Sequence, residues 1–490
     1  MLLCSKVRRV SLSGIYRSAV RVIVNILMLC SLFTPSLLFA LHEPPASDCA
    51  LTFNLLLEKA LSQNLIAGGI IVTGNHEGIL STAAKGQISS EPGSSLLNDH
   101  TMFDVASLTK VVATAPAVMK LLDEGLINLS DPLSRWFPEF ANGEITILNL
   151  LTHTSGLTDF DVSLNHSMKR AIKRAAGQRY RHWTGNRFDY ADINFILLGE
   201  LVRRVSGQTL DTFCGREIYA PLGVHETMFL PPRELRADIA PTAGYRSGVV
   251  SDVNARRLGS VAGHAGLFSS AYDLSRFARL MLGRGMIDNK RILSEQVVGQ
   301  MTSPYLSDDG QVKRGLGWDI SSPFSTWKGG FFSEASFGHT GYSGSSIWID
   351  PQHDRFVILL TRRVEYHDVD SFKQLRRNVS IIASADFGMF GGGRGVNALW
   401  ELAKVRAQLL EPEQVILAHS AGNSRLAAQS GQKRQHQLRV PRRSTRAERL
   451  LSKTRAGHRL ARAPKVAKME KNYKSGHSSK KRRMWKGDSG

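Results

Sequence analysis

An α/β (α+β) fold is what the sequence predicts: one antiparallel sheet built from N- and C-terminal segments, flanked by helices and interrupted by an inserted helical lobe. Three observations carry this. A glycine-bounded apolar run, "GGIIVTG" (Gly68 to Gly74), reads as a buried strand near the start of the globular region. Two further strand-like runs, "SGSSIWIDP" and "RFVILLTR", flank the turn "DPQHD" (Asp350 to Asp354) near its end. Between them, apolar residues recur at helical spacing, so strands from the two ends must share a sheet with helices inserted between.

Taken in order, residues 1–40 read as an export signal. Lys6, Arg8, Arg9, Arg17 and Arg21 precede an apolar run from Val22 to about Phe39, broken by Asn25, Cys30, Ser31 and Pro35. Ala40 is a candidate cleavage point, with Leu38 bulkier than the usual residue at minus three. An uncleaved anchor is the alternative, disfavoured because Pro35 and Asn25 weaken a spanning helix. Cys30 in the context Leu27-Met28-Leu29 does not suggest lipidation. An exported protein, periplasmic or associated with the cell envelope, is expected.

Residues 41–410 form the expected globular domain. After Ser107, the residues Val111, Val112, Ala115, Val118, Met119 and Leu122 keep helical spacing, with a kink or lost hydrogen bond expected at Pro116. "NFILLGELVRRVSG" (Asn194 to Gly207) predicts an amphipathic helix ended by glycine, "AYDLSRFARLML" (Ala271 to Leu282) another, and about Asp370 to Ser384 a terminal one. No internal repeat is evident, and a monomer is expected.

From 411 to 490 the composition turns to Lys, Arg, Ser, Gly and Gln. Residues 421–490 hold 21 Lys/Arg against 3 Asp/Glu, which is +18 of the +21 net charge. The tail therefore carries nearly all of the basic excess, and the whole chain does not read as a nucleic-acid binder. Such a segment cannot bury enough apolar surface to offset its chain entropy, so disorder is expected. Its charge suits an anionic envelope polymer, lipid or nucleic acid; a merely solvated extension is the alternative. Removing residues 1–40 would leave Cys49 and Cys214, whose pairing the sequence leaves open. No ligand-spaced His/Cys cluster is present, so neither metal nor cofactor is expected.

"FDVASLTKVV" (Phe103 to Val112) places Ser107 three residues before Lys110, where the helical pattern begins. On a helix these side chains share a face, about 5–6 Å apart at Cβ. A lysine so placed is a candidate base or proton relay with a lowered pKa, and the Ser107 N–H is a candidate oxyanion donor. The bland alternative is a serine that caps the helix beside a solvated lysine. The spacing alone is cheap, because Ser325/Lys328 and Ser478/Lys481 repeat it. Only Ser107/Lys110 opens a buried helix pattern.

Two further segments add weight. "RFDYADINFILLGEL" sets Tyr190 and Asp192 before a helix, although Tyr366-His367-Asp368 shares the spacing. "SFGHTGYSGSSIWID" sets His339, Thr340 and Gly341 before a strand. Glycine on an edge strand lets a substrate backbone approach, and Tyr342 offers a second oxyanion N–H.

In this order the three elements resemble the serine beta-lactamase and penicillin-binding-protein superfamily, with its S-x-x-K, Y-x-N or S-x-N, and K-T-G motifs. "LLTHTSGL" (Leu150 to Leu157), "YADINFILLGEL" and "SVAGHAGLFSSAYDLSRFARLML" (Ser260 to Leu282) resemble its class C beta-lactamase-like branch of DD-peptidases, esterases and muropeptide-acting hydrolases. The resemblance runs from about Cys49 to about Phe390. It implies a beta-lactamase/transpeptidase-like fold in which Ser107 is acylated, Lys110 shares its proton and Tyr190 completes the base network. Asp192 then contacts substrate or Lys110, and His339, Thr340 and Gly341 line the docking strand. The N–H groups of Ser107 and Tyr342 form the oxyanion hole.

Two positions depart from the motifs. Asp192 replaces Asn. His339 replaces Lys, exchanging a fixed charge for one expected to titrate near neutrality. A substrate carboxylate would be held less firmly. The expected activity is that of an exported serine hydrolase on D-amino acid peptides of the peptidoglycan type or related amides, D-alanyl-D-alanine carboxypeptidase-like. A beta-lactamase or carboxylesterase on the same scaffold, and a silent envelope-binding module, are the alternatives. Other residues read blandly: His153 as a structural turn residue and His264 as backbone-bonded in a glycine-rich loop. "FSTWKGGFF" (Phe324 to Phe332) is either a cleft wall or packing.

Overall fold

The computed structural model describes residues 48–140, 144–162, 167–179, 184–328, 332–386 and 393–410. The export signal, the basic tail and Ser478/Lys481 lie outside the described residues. Among the described residues, no helix is long and apolar enough to cross a membrane.

One eight-stranded antiparallel sheet organises the chain. Its strands are β1 (Ile66–Gly74), β2 (Ile79–Gly86), β3 (Tyr305–Ser307), β4 (Val312–Arg314), β5 (Asp319–Ser321), β6 (Phe337–Thr340), β7 (Ser346–Asp350) and β8 (Arg355–Arg363), in the order β2-β1-β8-β7-β6-β5-β4-β3. Two strands from the N-terminal end thus pair with six from the C-terminal end, and β1 lies against β8 with Ile70 opposite Leu360. The architecture predicted from the two ends of the sequence is the one found.

Period-two alternation explains the two cores. Ile70, Val72, Ile347, Ile349, Ile358 and Leu360 face the inserted lobe, whereas Ile71, Trp348, Val357 and Leu359 face the helices α1 (Asp48–Ser62) and α5 (Val369–Asp386). A further helix spans Gly393–Leu410. Cys49 packs in the second core and Cys214 in the first, both buried, so the two do not pair with each other.

The inserted lobe supplies α2 (Ala115–Asp123), α3 (Asp192–Ser206) and α4 (Ala271–Leu282). Helix α4 has the predicted bounds because Ser270 caps it, its Oγ accepting the Asp273 N–H at 3.1 Å. Helix α3 stops at Gly207, which takes the left-handed φ of 75°. Contrary to the amphipathic reading, residues Ile193 to Val202 are buried all round, because α3 is the central helix of the lobe. The segment after Ser107 is not one kinked helix. A 3₁₀ turn (Ala106–Leu108) and a π turn (Lys110–Thr114) precede α2, and Pro116 sits in its first turn. Pro116 has no N–H to give to the Val112 carbonyl, and the Tyr219 hydroxyl donates to it instead at 3.4 Å.

A second, small sheet escaped the sequence. Met102–Asp104 pairs with Leu267–Ser270 and with Ile239–Ala240, and Met228–Phe229 completes it. Strands of two to four residues leave no alternation to read. This sheet holds the Ser107 turn.

Candidate active site

Asp104 ends its strand just ahead of Ser107. Its buried carboxylate accepts the Ala106 N–H at 2.9 Å and the Ser251 N–H at 2.6 Å, and burial raises its pKa. Ala106 is held at φ 47°, a left-handed conformation that costs an alanine strain. Thr109 fixes the other side of the turn: its hydroxyl donates to the Ala106 carbonyl at 2.7 Å and accepts the Leu267 N–H at 3.1 Å. Ser107 keeps partial exposure between two buried neighbours.

The capping alternative fails, since neither turn here carries a side-chain cap. Lys110 is not solvated. It is fully buried, and Nζ lies 3.1 Å from Ser107 Oγ, 2.9 Å from the His264 carbonyl and 2.7 Å from Asp192 Oδ1. Burial alone would lower its pKa, as expected from sequence. The Asp192 carboxylate and the Tyr190 oxygen outweigh burial and raise it, so Lys110 is an ammonium. The Tyr190 ring lies beside this pair, with Lys110 Nζ 5.2 Å from its centroid, and burial raises the pKa of its hydroxyl, so it is a neutral phenol.

His153 does more than turn the chain. At φ 57° it stacks on the Tyr190 ring, with centroids 4.4 Å apart, while Nδ1 accepts the Ala191 N–H at 3.2 Å. Burial holds it well below the usual histidine range, hence neutral. Phe324 covers Tyr190 from another side at 5.3 Å, so it walls the site, whereas Phe332 packs in the core behind the sheet. Ser325/Lys328 forms a 3₁₀ turn in which Lys328 donates to the Ile320 carbonyl at 3.0 Å.

His264 is not simply backbone-bonded. Its side chain is buried with Nε2 2.9 Å from Asp252 Oδ1, and its carbonyl holds Lys110. Burial opposes its charge, but the Asp252 carboxylate dominates and raises its pKa; in return His264 lowers that of Asp252. Asp159 joins this wall. It accepts the Ile193 N–H at 3.0 Å, and desolvation together with the Asp192 charge pushes it up to about 7. Ligand atoms of Asp192, Asp252 and His264 lie within 4.8 Å of one another. The cation already at this cluster is Lys110.

On the sheet side, β6 is not an edge strand. It pairs with β7, and Gly338 lies opposite Asp319 of β5, so only His339 and Thr340 run past the start of β5. The Gly341 requirement is also different from the one expected. A Cβ there would come 2.1 Å from Ser345 Oγ and 2.5 Å from the Val105 carbonyl. Glycine lets the turn after β6 close on the segment before Ser107, where Ser345 Oγ donates to Val105 O at 2.9 Å. This brings Tyr342 to the Ser107 side. His339 is buried, with Nδ1 2.9 Å from the Thr340 carbonyl. Burial, then the charges of Arg314 and Lys110, hold it well below the usual range. It does not titrate near neutrality.

The structure brings Ser107, Lys110, Tyr190, Asp192 and His339 together, and adds Asp104, Asp159 and Asp252. Asp104 was legible as an aspartate two residues before a turn. Asp252 was legible as the cap of Val253–Arg257, but not as a partner of this site.

The family model described as Beta-lactamase matches residues 56–379. An N-acetylmuramyl-L-alanine amidase of Bacillus subtilis (strain 168) is 27% identical over 381 residues, 68% of this chain and 85% of the relative. A Salmonella typhimurium (strain LT2) protein, provisionally named a D-alanyl-D-alanine carboxypeptidase, is 27% identical over 340 residues, 60% of this chain and 78% of the relative. Among solved structures, a class C beta-lactamase aligns with TM-score 0.59 at 17% identity, covering 69% of this chain and 97% of that one. The hydrolase EstCE1 aligns with TM-score 0.56 at 19%, covering 68% and 99%. The chain belongs to the Beta-lactamase family, with the beta-lactamase/transpeptidase-like fold, and is a serine hydrolase of that group.

Proposed function

We propose that this Beta-lactamase-family enzyme is exported and forms an acyl-enzyme on Ser107, cleaving amides of peptidoglycan-type D-amino acid peptides. The observation that carries this is the buried Lys110 ammonium 3.1 Å from Ser107 Oγ, with the Tyr190 ring beside it, its centroid 5.2 Å from Nζ. An ammonium donates and cannot accept, so Tyr190 relays the proton in one concerted step. As the phenol passes its own proton to the leaving nitrogen, its oxygen takes the proton of Ser107, and Lys110 stabilises the partial negative charge on that oxygen in transit. Water then attacks the ester carbonyl, giving a proton to Tyr190 as Tyr190 returns one to Ser107. The N–H groups of Ser107 and Tyr342 stabilise the oxyanion, each donor worth about 2.7–4 kcal/mol.

The charge pattern selects within that class. His339 is neutral, and Arg314 is engaged by Asp319 at 3.2 Å. Neither offers a free cation for a terminal carboxylate. Cleavage of an internal amide, the type named for the Bacillus relative, is favoured over removal of a carboxyl-terminal residue. The same neutrality supports a second reading, a carboxylesterase.

Intact mass after incubation with a penicillin, beside a Ser107→Ala control, tests the acyl-enzyme. A persistent adduct on wild type alone is expected. Consumption of the drug without an adduct would make the enzyme a beta-lactamase. An adduct that survives in Ser107→Ala would remove Ser107 from the mechanism.

A further inference from the structure

A ring of contacts leaves the Ser107 turn and returns to it. Asp104 begins it, with a carboxylate that accepts the Ala106 N–H at 2.9 Å and the Ser251 N–H at 2.6 Å. The next residue, Asp252, is fixed in turn as the N-cap of Val253–Arg257, its Oδ1 accepting the Ala255 N–H at 2.6 Å. The same Oδ1 lies 2.9 Å from His264 Nε2. The His264 carbonyl accepts from Lys110 Nζ at 2.9 Å, and Nζ lies 3.1 Å from Ser107 Oγ. The ring thus starts and ends within the nucleophile's own turn.

The His264 link is the one that the local sequence leaves loose. It stands in Gly263-His264-Ala265-Gly266, with Gly266 at a left-handed φ of 117°. Glycines give such a loop backbone freedom, and His264 is the one residue of the four with a side chain longer than a methyl group. The loop is held on either side of it. A Cβ at Gly263 would come 2.0 Å from the Phe195 carbonyl oxygen of α3, and the Thr114 hydroxyl donates to the Gly263 carbonyl at 2.6 Å. Thr109 accepts the Leu267 N–H at 3.1 Å. Between these points, the tether is the bond from the buried imidazole to Asp252. A carbonyl that must meet a buried ammonium tolerates little drift, because groups that support reacting atoms must be held within about 0.5 Å.

We propose that Asp252 is a positioning residue for Ser107 acylation: by pinning the His264 side chain it holds the His264 carbonyl on Lys110, and so aims the ammonium at Ser107 Oγ. This deepens the acyl-enzyme reading and rests on it. The test is the rate at which benzylpenicillin acylates the full chain, or is consumed where turnover is fast, across drug concentrations. Asp252→Ser keeps a helix cap but is too short to hold the imidazole, and His264→Ala keeps the carbonyl but drops the tether. Each is expected to lower the limiting rate at least about 10-fold and to leave the half-saturating concentration within about twofold, because a misaimed group costs rate rather than binding. The double variant should lose no more than either single one, and His264→Gln, whose amide can reach the same carboxylate, should regain most of the rate. An unchanged limiting rate, a loss confined to half-saturation, additive losses, or no recovery with His264→Gln overturns the positioning role. A wild type that takes no penicillin counts against the acyl-enzyme alone, and a crystal structure of Asp252→Ser then decides. A His264 carbonyl displaced by more than about 1 Å from Lys110 Nζ supports the tether, and one that stays in place overturns it.

Discussion

The two walls of the site contain similar residues in opposite states. On the helical-lobe wall, the buried Lys110 and His264 are held toward their charged forms, because Asp192 lies 2.7 Å from one and Asp252 2.9 Å from the other. On the sheet wall His339 is as deeply buried, but it faces Arg314 and Lys110 with no carboxylate bonded to it, and it is neutral. The sheet-wall arginines, Arg363 and Arg376, turn inward onto carbonyls and rings. Residue type does not set charge here; the nearest carboxylate does.

The largest expected effect comes from erasing the carboxylate that makes the walls differ. In Asp192→Asn the carboxylate that chiefly offsets the burial of Lys110 is gone, and the lysine pKa should fall by up to several units, toward the range of about 5–6 that buried lysines reach without a partner. An alkaline limb should enter the pH–rate profile between about pH 7 and 10, with kcat at pH 7 reduced on the order of 10-fold. An unchanged profile would mean that Asp192 does not set the charge of Lys110.

Asp252→Ala sharpens the contrast between the histidines. Breaking a fully buried pair costs about 3–5 kcal/mol. The Asp252 side chain is 32% exposed, so about 2–3 kcal/mol is expected in urea unfolding. His339→Asn, which strands no charge and can keep a donor near the Thr340 carbonyl, should cost less. In ¹⁵N spectra at pH 7, His264 should show an imidazolium that disappears in Asp252→Ala, whereas His339 and His153 are neutral in both. A neutral His264 in wild type would erase the distinction between the walls.

The smallest effect is in the pH dependence of stability. His339 and His153 have folded pKa values below the unfolded value of about 6.5, so their contribution is complete above that pH and is lost as pH falls. His264 has a raised value, so its contribution is complete below about pH 6.5 and is lost as pH rises through its folded pKa. Among the histidines two groups oppose one, which favours a loss of stability on acidification from pH 7 to 5, at no more than about 1.4 kcal/mol per pH unit for each group, set against a gain from Asp159, whose pKa of about 7 lies above its unfolded value. Replacing His339 by Asn should shallow that slope; an unaltered slope would place a charged His339 in the folded state.

Several features were legible because they are written in neighbours along the chain. The two-ended sheet follows from the glycine-bounded apolar run at Ile70, Ile71 and Val72 and from the hairpin at Asp350 to Asp354. Helix α4 follows from Ser270 and its periodic apolar face, and the Ser107–Lys110 pair from three-residue spacing. The three motifs, read in order, already placed Tyr190, Asp192 and His339 together.

What the tertiary structure alone decided is the state of those residues. The ammonium of Lys110, the neutral His339, the capture of His264 by Asp252 and the stacking of His153 on Tyr190 depend on groups tens to hundreds of residues apart. Periodicity and turn chemistry are local and survive in a one-dimensional reading. Desolvation and Coulomb energy depend on distance in space, which only the folded chain sets.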